Sequence, residues 1–576
     1  MLSRQACILP ITRKVSLNNT KPNKSCIATC SSDAQSQAAT TSRPASRGVP
    51  PSGAARASLQ RLTTGLLTAA IALSALPGPS IASSISIQPI PDPTAQSLKM
   101  SSQQLHAGED FVRGKEAPPL PADFPPLPDV KEPAYTKLVL PNGLRVFLLE
   151  DHELGLVGGQ LLVKGGTKRV PKDKIGLAAM TANVMRSGGS FDHPADQLDE
   201  RLERLAAGIE AGASTSTMSL SFGCLAEDLG EVFGLFKEVA TNPRLPEDKL
   251  KLTREQLLGR IARRNDDPGG IAGREMPKLV YGKDSIYARV ADVGTVKAVT
   301  RRDVEDFHMA NFRPEQGVLG IWGDFSTADV QKLTEQLFGA WKPPTPYLKG
   351  TPLQEYLDGE PAANEVGTSE QKRVYLVDKP GLTQGYVRFG ELGVTIDDPD
   401  VFALDVLNNV LNGFGGRLFN EVRSREGLAY SVSGGWSPAI DHKGLFSGGG
   451  ETRVDSVAKF IESTQRVLRV ATTEEVGPEE LSRAKESSLN SFVFNFADSG
   501  AQLSRIMTLD LFGVDKDYLF QYKAGVEETT GPSVLAAAQR HLHPDKHKIV
   551  VVSDANRARP ILEERGWIVE PLEIEY

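Results

Sequence analysis

The 576-residue sequence predicts an α+β fold built twice. Three observations predict it. Alternating strand-like runs are interleaved with helical ones, as in layered α+β domains. The pattern returns at a spacing of about 230 residues. A Pro/Gly/Glu-rich stretch, residues 342–372, separates the two copies and reads as a linker. Each half is then expected to be an antiparallel sheet with helices packed on one face. The length suits two to four domains at roughly 100–200 residues each, and so long a repeat indicates homologous domains rather than a solenoid.

The N-terminal residues are set apart by charge. Residues 1–83 hold nine of the 65 Lys/Arg and one acid, Asp33, which leaves a net charge of −15 on the remainder. The first 60 residues are Ser/Thr/Ala/Arg-rich, the composition of an organelle transit peptide. A 15-residue apolar run, LTTGLLTAAIALSAL (62–76), follows Arg61 and ends in small residues near Ala82. It is short for a bilayer span of about 20 residues. The order resembles the bipartite presequence of a thylakoid-lumen protein. A plain chloroplast or mitochondrial presequence and a retained membrane anchor are the other readings. Membrane association is not expected of the mature chain. The acidic body argues against nucleic-acid binding, which needs a basic footprint. Of the four cysteines only Cys224 lies beyond the presequence, so no disulfide framework is expected, and Cys224 reads as a strand residue.

Residues 84–130 are Pro-, Ser- and Gln-rich and read as an arm. The first half, 131–341, opens with LVLPNGLRVFLLED, two strand runs around a Pro-Asn-Gly turn. GLAAMTANVM (176–185) is a helix with Leu177, Met180, Thr181 and Val184 as its buried stripe. Helices follow over 193–207, 229–240 and 248–264, with STMSLSFGCL as a strand and 317–324 as a central strand. The second half, 373–576, repeats the scheme: 145–151 corresponds to 373–379, 176–185 to 402–411, and 296–324 to 526–554. In the last pair Thr300 matches Thr530 and Pro314 matches Pro544.

The opening LPNGLRVFLLED, GLAAMTANVMRSGG, the duplication and above all GGRLFNEVRSREGLAYSVSGG (415–435) resemble the insulinase/pitrilysin metallopeptidase family. That family includes the mitochondrial processing peptidase and the cytochrome bc1 core proteins. The resemblance covers residues 131–576 and implies that the two halves form a clamshell. Active members carry His-x-x-Glu-His on the helix that GLAAMTANVM matches. Residues i and i+4 share one helix face, so two imidazoles can grip one zinc ion, and the Glu activates its water. Here the two His positions fall on Ala179 and Asn183, and the Glu position on Ala182. The family's Arg-Glu pair matches Arg254-Glu255, which puts the third ligand on Ala262, or on Arg260 by ungapped spacing. No metal is therefore expected in this chain. HLHPDKH (541–547) is the one His cluster and reads as a surface loop.

The resemblance also supplies a second pair. Active members use an Arg and a Tyr in the C-terminal domain, matching Arg423 and Tyr430, seven apart. The bland reading is that Arg423 caps a helix or pairs with Glu426 while Tyr430 packs in a strand. The functional one is that Tyr430 donates to an oxyanion and Arg423 holds the substrate. Gly413, Gly415 and Gly416 resemble the substrate-feeding loop of noncatalytic processing-peptidase subunits, and read equally as a helix-stop turn. Gly159–Lys164 is expected as an exposed edge strand that pairs with an extended peptide. The resemblance implies a zinc-less subunit that is inactive by itself and needs a His-x-x-Glu-His paralogue, which brings the zinc. The competing implication is an inert peptide-binding or assembly protein of an organellar membrane complex.

Overall fold

The computed structural model describes residues 131–342 and 372–575, apart from Ala497 and the side chain of Asn495. The expected presequence, the arm before residue 131 and nearly all of the linker at 342–372 lie outside the described residues.

The first half runs β1 (Thr136–Val139), β2 (Arg145–Glu150), β3 (Leu156–Lys164), α1 (Leu177–Gly188), α2 (Ala195–Arg204), β4 (Gly208–Ala213), β5 (Thr217–Leu225), α3 (Leu229–Thr241), α4 (Glu247–Arg263), α5 (Pro268–Tyr281), α6 (Val293–Ala298), α7 (Arg301–Asn311), β6 (Gly317–Gly323) and α8 (Thr327–Phe338). The second runs β7 (Arg373–Asp378), β8 (Gln384–Leu392), α9 (Val401–Leu411), a π-helical turn (Phe419–Arg425), β9 (Ala429–Ser437), β10 (Leu445–Arg453), α10 (Val457–Thr473), α11 (Pro478–Phe492), α12 (Ser499–Phe512), α13 (Asp517–Glu528), α14 (Gly531–His541), β11 (Lys548–Ser553), α15 (Ala555–Glu564) and β12 (Ile568–Pro571).

The strands form two six-stranded sheets, ordered β1-β2-β6-β3-β5-β4 and β12-β7-β11-β8-β10-β9. Five places match strand for strand. The sixth is filled from opposite ends of the two halves, by β1 antiparallel to β2 and by β12 parallel to β7. The sheets are mixed rather than wholly antiparallel, because β2 runs parallel to β6 and β7 to β11. Parallel neighbours need a long crossover. Here the crossover is the whole helical body of each half, so local alternation does not show it. The duplication reaches the caps. Thr300 and Thr530 each accept from the N3 backbone while Asp303 and Ser533 return the bond, and Pro314 and Pro544 each open a short 3-10 turn before the central strand.

Leu177, Met180, Thr181 and Val184 are buried, as the helical period requires. The other face of each sheet is covered by a helix from the opposite half. Leu503, Ile506 and Met507 of α12 pack on Phe147, Leu162 and Val318 of the first sheet. Ile271, Ala272 and Met276 of α5 pack on Val377, Val550 and Val552 of the second. The approach is close enough that a Cβ on Gly320 would stand 2.2 Å from Met507 Sδ, so any side chain there would force Met507 to move. Polar contacts accompany the exchange: Ser504 Oγ donates to Gln160 Oε1 at 3.0 Å, and Tyr281 Oη to the Lys443 carbonyl at 2.8 Å. The fold is a two-domain α+β clamshell whose halves are clasped by exchanged helices. Among the described residues no helix is long and apolar enough to cross a membrane.

One buried group carries a pH prediction. His308 on α7 is buried, with Nε2 at 2.9 Å from the Ala240 carbonyl, and burial pushes its pKa down to about 4. The neutral form is thus favoured in the fold, and the unfolded chain binds the proton more readily. Above pH ~6.5 the group leaves stability unchanged, and between pH ~6.5 and 4 it lowers stability by up to ~3 kcal/mol. Urea unfolding across that range is expected to show this slope, and His308→Gln to flatten it. An equal slope in the variant would assign the effect elsewhere.

Candidate functional site

Helix α1 shows what stands at the expected zinc positions. Ala179 and Asn183 lie one turn apart on the exposed face, and Ala182 is buried beneath. Thr253 Oγ1 of α4 donates to Asn183 Oδ1 at 2.7 Å. The amide oxygen that would be the nearest thing to a ligand is thus spent on holding two helices together. Arg254 ties α4 to the chain before α7 through the Val299 carbonyl at 2.8 Å, and Glu255 faces solvent. Ala262 is exposed and stands nine residues from Thr253, about half a turn around α4, whereas Arg260, seven residues on, shares its face. The geometry therefore favours Arg260 as the third-ligand position, and a guanidinium has no lone pair for zinc. Two methyls, a bonded amide and a cation do not fit the metal.

Arg423 and Tyr430 come together. Arg423 sits in the π-helical turn and Tyr430 near the start of β9. The Arg423 guanidinium carbon lies 4.6 Å from the Phe419 ring centre and 4.8 Å from that of Tyr430. Stacking on rings fixes the guanidinium while leaving its edge free to donate. Neither the expected ion pair with Glu426 nor the packing of Tyr430 is seen, although Arg423 does lie in the last turn of its helix. Glu426 is engaged by Ser463, Lys459 and Arg466, and among the described residues no carboxylate pairs with Arg423. Tyr430 is 82% exposed rather than packed. A π-turn is uncommon and often marks a functional site. None of the ring contacts of this pair reaches Ala179, Ala182 or Asn183.

The glycines behave as a turn. Gly413 ends α9 at φ 78°, and its carbonyl accepts from Gly416 N at 3.1 Å. Gly416 lies against the Asn412 carbonyl, where a Cβ would come within 2.1 Å, while Gly415 is open. The turn displays Phe414, 84% exposed and edge-on to Phe419 at 5.2 Å. Sequence reasoning missed Phe414 and Phe419. Phe419 lies one helical turn before Arg423, a spacing that puts two side chains on one face.

The expected edge strand is a correction. Gly159–Lys164 belongs to β3, which pairs with β6 on one side and β5 on the other. The later strand β6 closes that side, and its arrival is invisible locally. The free edges near the two candidate regions are β4, packed beside α1, and β9, which bears Tyr430.

The histidine cluster differs from a plain surface loop. His547 is buried and stacks on Phe389, with Nε2 at 3.1 Å from Glu391. His543 bonds the same carboxylate at 2.9 Å, while His541 lies 2.8 Å from Asp400. Asp398, Asp400 and His541 are spaced like metal ligands, but Arg540 already clamps Asp400 at 2.7 Å. Cys224 is buried as expected for a strand residue, and burial, then Asp228, pushes its thiol up to about 12.

Comparison with known proteins agrees with the duplicated fold. Residues 145–284 match the family described as Insulinase (Peptidase family M16), and residues 298–488 match the Peptidase M16 inactive domain. Together the two matches span more than half of the chain. A Bacillus subtilis protein named uncharacterized zinc protease YmxG is 21% identical over 366 residues, 63% of this chain and 85% of its own. A Helicobacter pylori relative named non-peptidase homolog YmxG is 23% identical over 59% of this chain and 76% of its own. The solved peptidase M16 inactive domain of Pseudomonas fluorescens superposes with a TM-score of 0.62 at 25% identity, over 73% of this chain and 98% of that one. With its duplicated fold and both halves matched, the chain belongs to the insulinase family, peptidase family M16, as a homologue that lacks the zinc motif.

Proposed function

We propose that the chain is the zinc-less subunit of a two-chain M16 peptidase. It would supply Tyr430, Arg423 and part of the substrate chamber to a partner that carries His-x-x-Glu-His. The observation that carries this reading is the pair of half-buried Arg423 and exposed Tyr430, held ready by Phe419 with no carboxylate among the described residues to neutralise it, in a chain whose metal positions are Ala179, Ala182 and Asn183. Uniform decay would not be expected to spare it. An exposed, preorganised hydroxyl is suited to donate to the oxyanion formed as water attacks a peptide carbonyl. The Arg423 fork is suited to a substrate carbonyl or carboxylate. Zinc, held by the partner, would activate the water. The β9 edge next to Tyr430, and β4 beside α1, offer unpaired backbone for an extended peptide. The work is proposed to take place inside the chloroplast, in its thylakoid lumen, with the mitochondrion as the alternative, on the composition of residues 1–83.

The test is purification of the mature chain alone and together with an organellar His-x-x-Glu-His paralogue. The expected result is cleavage of peptides by the pair only, with zinc recovered in the paralogue and none retained by this chain after a weak chelator. Stoichiometric zinc held by the chain alone would overturn the metal-free reading. An inactive but stable pair would favour the assembly role instead.

A further inference from the structure

The second half holds a basic pocket that the proposed peptidase role does not use. It is a cavity of about 240 Å³ between β8, the start of β11 and the end of α14, closed on one side by Val280 from α5. Its walls carry Lys443, Arg540, His541, His543, Lys546 and Lys548, against one lining carboxylate, Glu391. This is an unusual concentration of cations in a body whose net charge beyond residue 83 is −15.

Most of these charges are already matched. Glu391 is buried and accepts from the His543 backbone at 2.7 Å, from His543 Nδ1 at 2.9 Å and from His547 Nε2 at 3.1 Å. Burial by itself would raise its pKa; these contacts outweigh burial and hold it below the ordinary value. Arg540 and His541 share Asp400. Two cations remain. Among the described residues neither Lys546 nor Lys548 pairs with a carboxylate, although Lys548 is half-buried. Burial first, and Arg373 second, hold the Lys548 ammonium below its usual pKa. A half-buried ammonium without a counter-charge is costly unless an anion joins it.

We infer that this pocket binds a small phosphate-bearing anion, with Lys546 and Lys548 as its principal charge partners. Lysine acts as a compact point charge and is an established phosphate partner. The volume is below the roughly 300–1,000 Å³ of drug-sized sites, which limits the occupant to a free phosphate or a short phosphate ester. Val280 belongs to the first half and the rest of the pocket to the second, so a bound anion would also stabilise their junction by mass action.

Calorimetric titration of the full chain with inorganic phosphate, and separately with glycerol 3-phosphate, tests this against sodium chloride at matched ionic strength. Saturable binding of either probe is expected, together with a saturable rise in unfolding temperature. The tighter probe identifies the ion or the ester as the natural form. Lys546→Gln/Lys548→Gln is expected to weaken binding at least tenfold, and Lys251→Gln, an exposed lysine on α4, to leave it unchanged. Lys546→Gln alone, on an exposed turn, keeps the test valid if the double variant does not fold. No saturable binding of either probe, or equal affinity in the Lys546 variants, would overturn the inference. Peptide cleavage is not read, so the result stands apart from the peptidase proposal.

Discussion

Tyr430→Phe is expected to lower the turnover of the two-chain peptidase by about 10²–10³-fold, the usual cost of removing one oxyanion donor. The hydroxyl has little to bond in the ground state, so the loss should fall on kcat with KM nearly unchanged. Because Tyr430 is 82% exposed, the variant should fold, assemble and unfold as the parent does. Arg423→Lys should raise KM, since a lysine keeps the charge but loses both the fork and the stack on Phe419. Phe419→Leu provides a further check, because it leaves the guanidinium present but unheld. Stopped and steady-state assays on one peptide would separate the two effects. A pair equally active with Phe at 430 and Lys at 423 would remove these residues from the mechanism.

Lys168→Met is expected to destabilise the chain by about 3–5 kcal/mol, the cost of removing one member of a buried ion pair. Lys168 Nζ lies 2.7 Å from Asp441 Oδ2, and their side chains are only 5% and 12% exposed. The pair joins the two halves, since Lys168 follows β3 and Asp441 lies between β9 and β10. Burial would raise the Asp441 pKa, but hydrogen bonds from His442, Lys168 and Ser216 outweigh it and hold the carboxyl far below the ordinary range. His442 in turn stacks on Tyr287 at 3.8 Å, so the loop is pinned by a ring as well as by charge. The sign of the pH effect follows. A depressed carboxylate contributes stability that is present above the ordinary aspartate pKa of 3.8 and is lost as pH falls through the lower folded value. The acid loss assigned to His308 comes earlier, between pH ~6.5 and 4, and the two are separable in one series of urea melts. The double variant Lys168→Met/Asp441→Leu should recover much of the loss, because both charges are then gone. A loss below about 1 kcal/mol in the single variant, the range of an exposed pair, would show that the seam does not depend on it.

Much of the site was legible before any coordinates. The stripe Leu177, Met180, Thr181 and Val184 follows from helical period, and the emptied positions Ala179, Ala182 and Asn183 from setting that helix against the family's motif. Arg423 and Tyr430 were within reach only through the family resemblance, which matches them to an Arg and a Tyr seven apart. What Arg423 touches was not, since Glu426 and the two rings compete for it and only packing chooses between them. Helix α5 escaped notice because Pro277 and several glycines dilute its propensity. It forms because Asp267 caps it, accepting from Gly269 N at 3.0 Å and Gly270 N at 2.9 Å, and because its apolar face is buried on the second sheet.

By itself, then, the sequence determined the duplication and most of the elements, which depend on residue type, period and local spacing, and it showed that His-x-x-Glu-His is missing where the family resemblance places it. Tertiary structure alone decided which strands are edges, which helices cross between the halves, and where unpaired charge collects. Gly159–Lys164 became interior because β6 returns to pair with it from more than 150 residues away. Lys546 and Lys548 face one cavity because the ends of β8 and α14 and the start of β11 meet at the same corner of the second sheet. Such outcomes depend on contacts between distant segments, which are set by the best burial of whole faces and not by any local pattern.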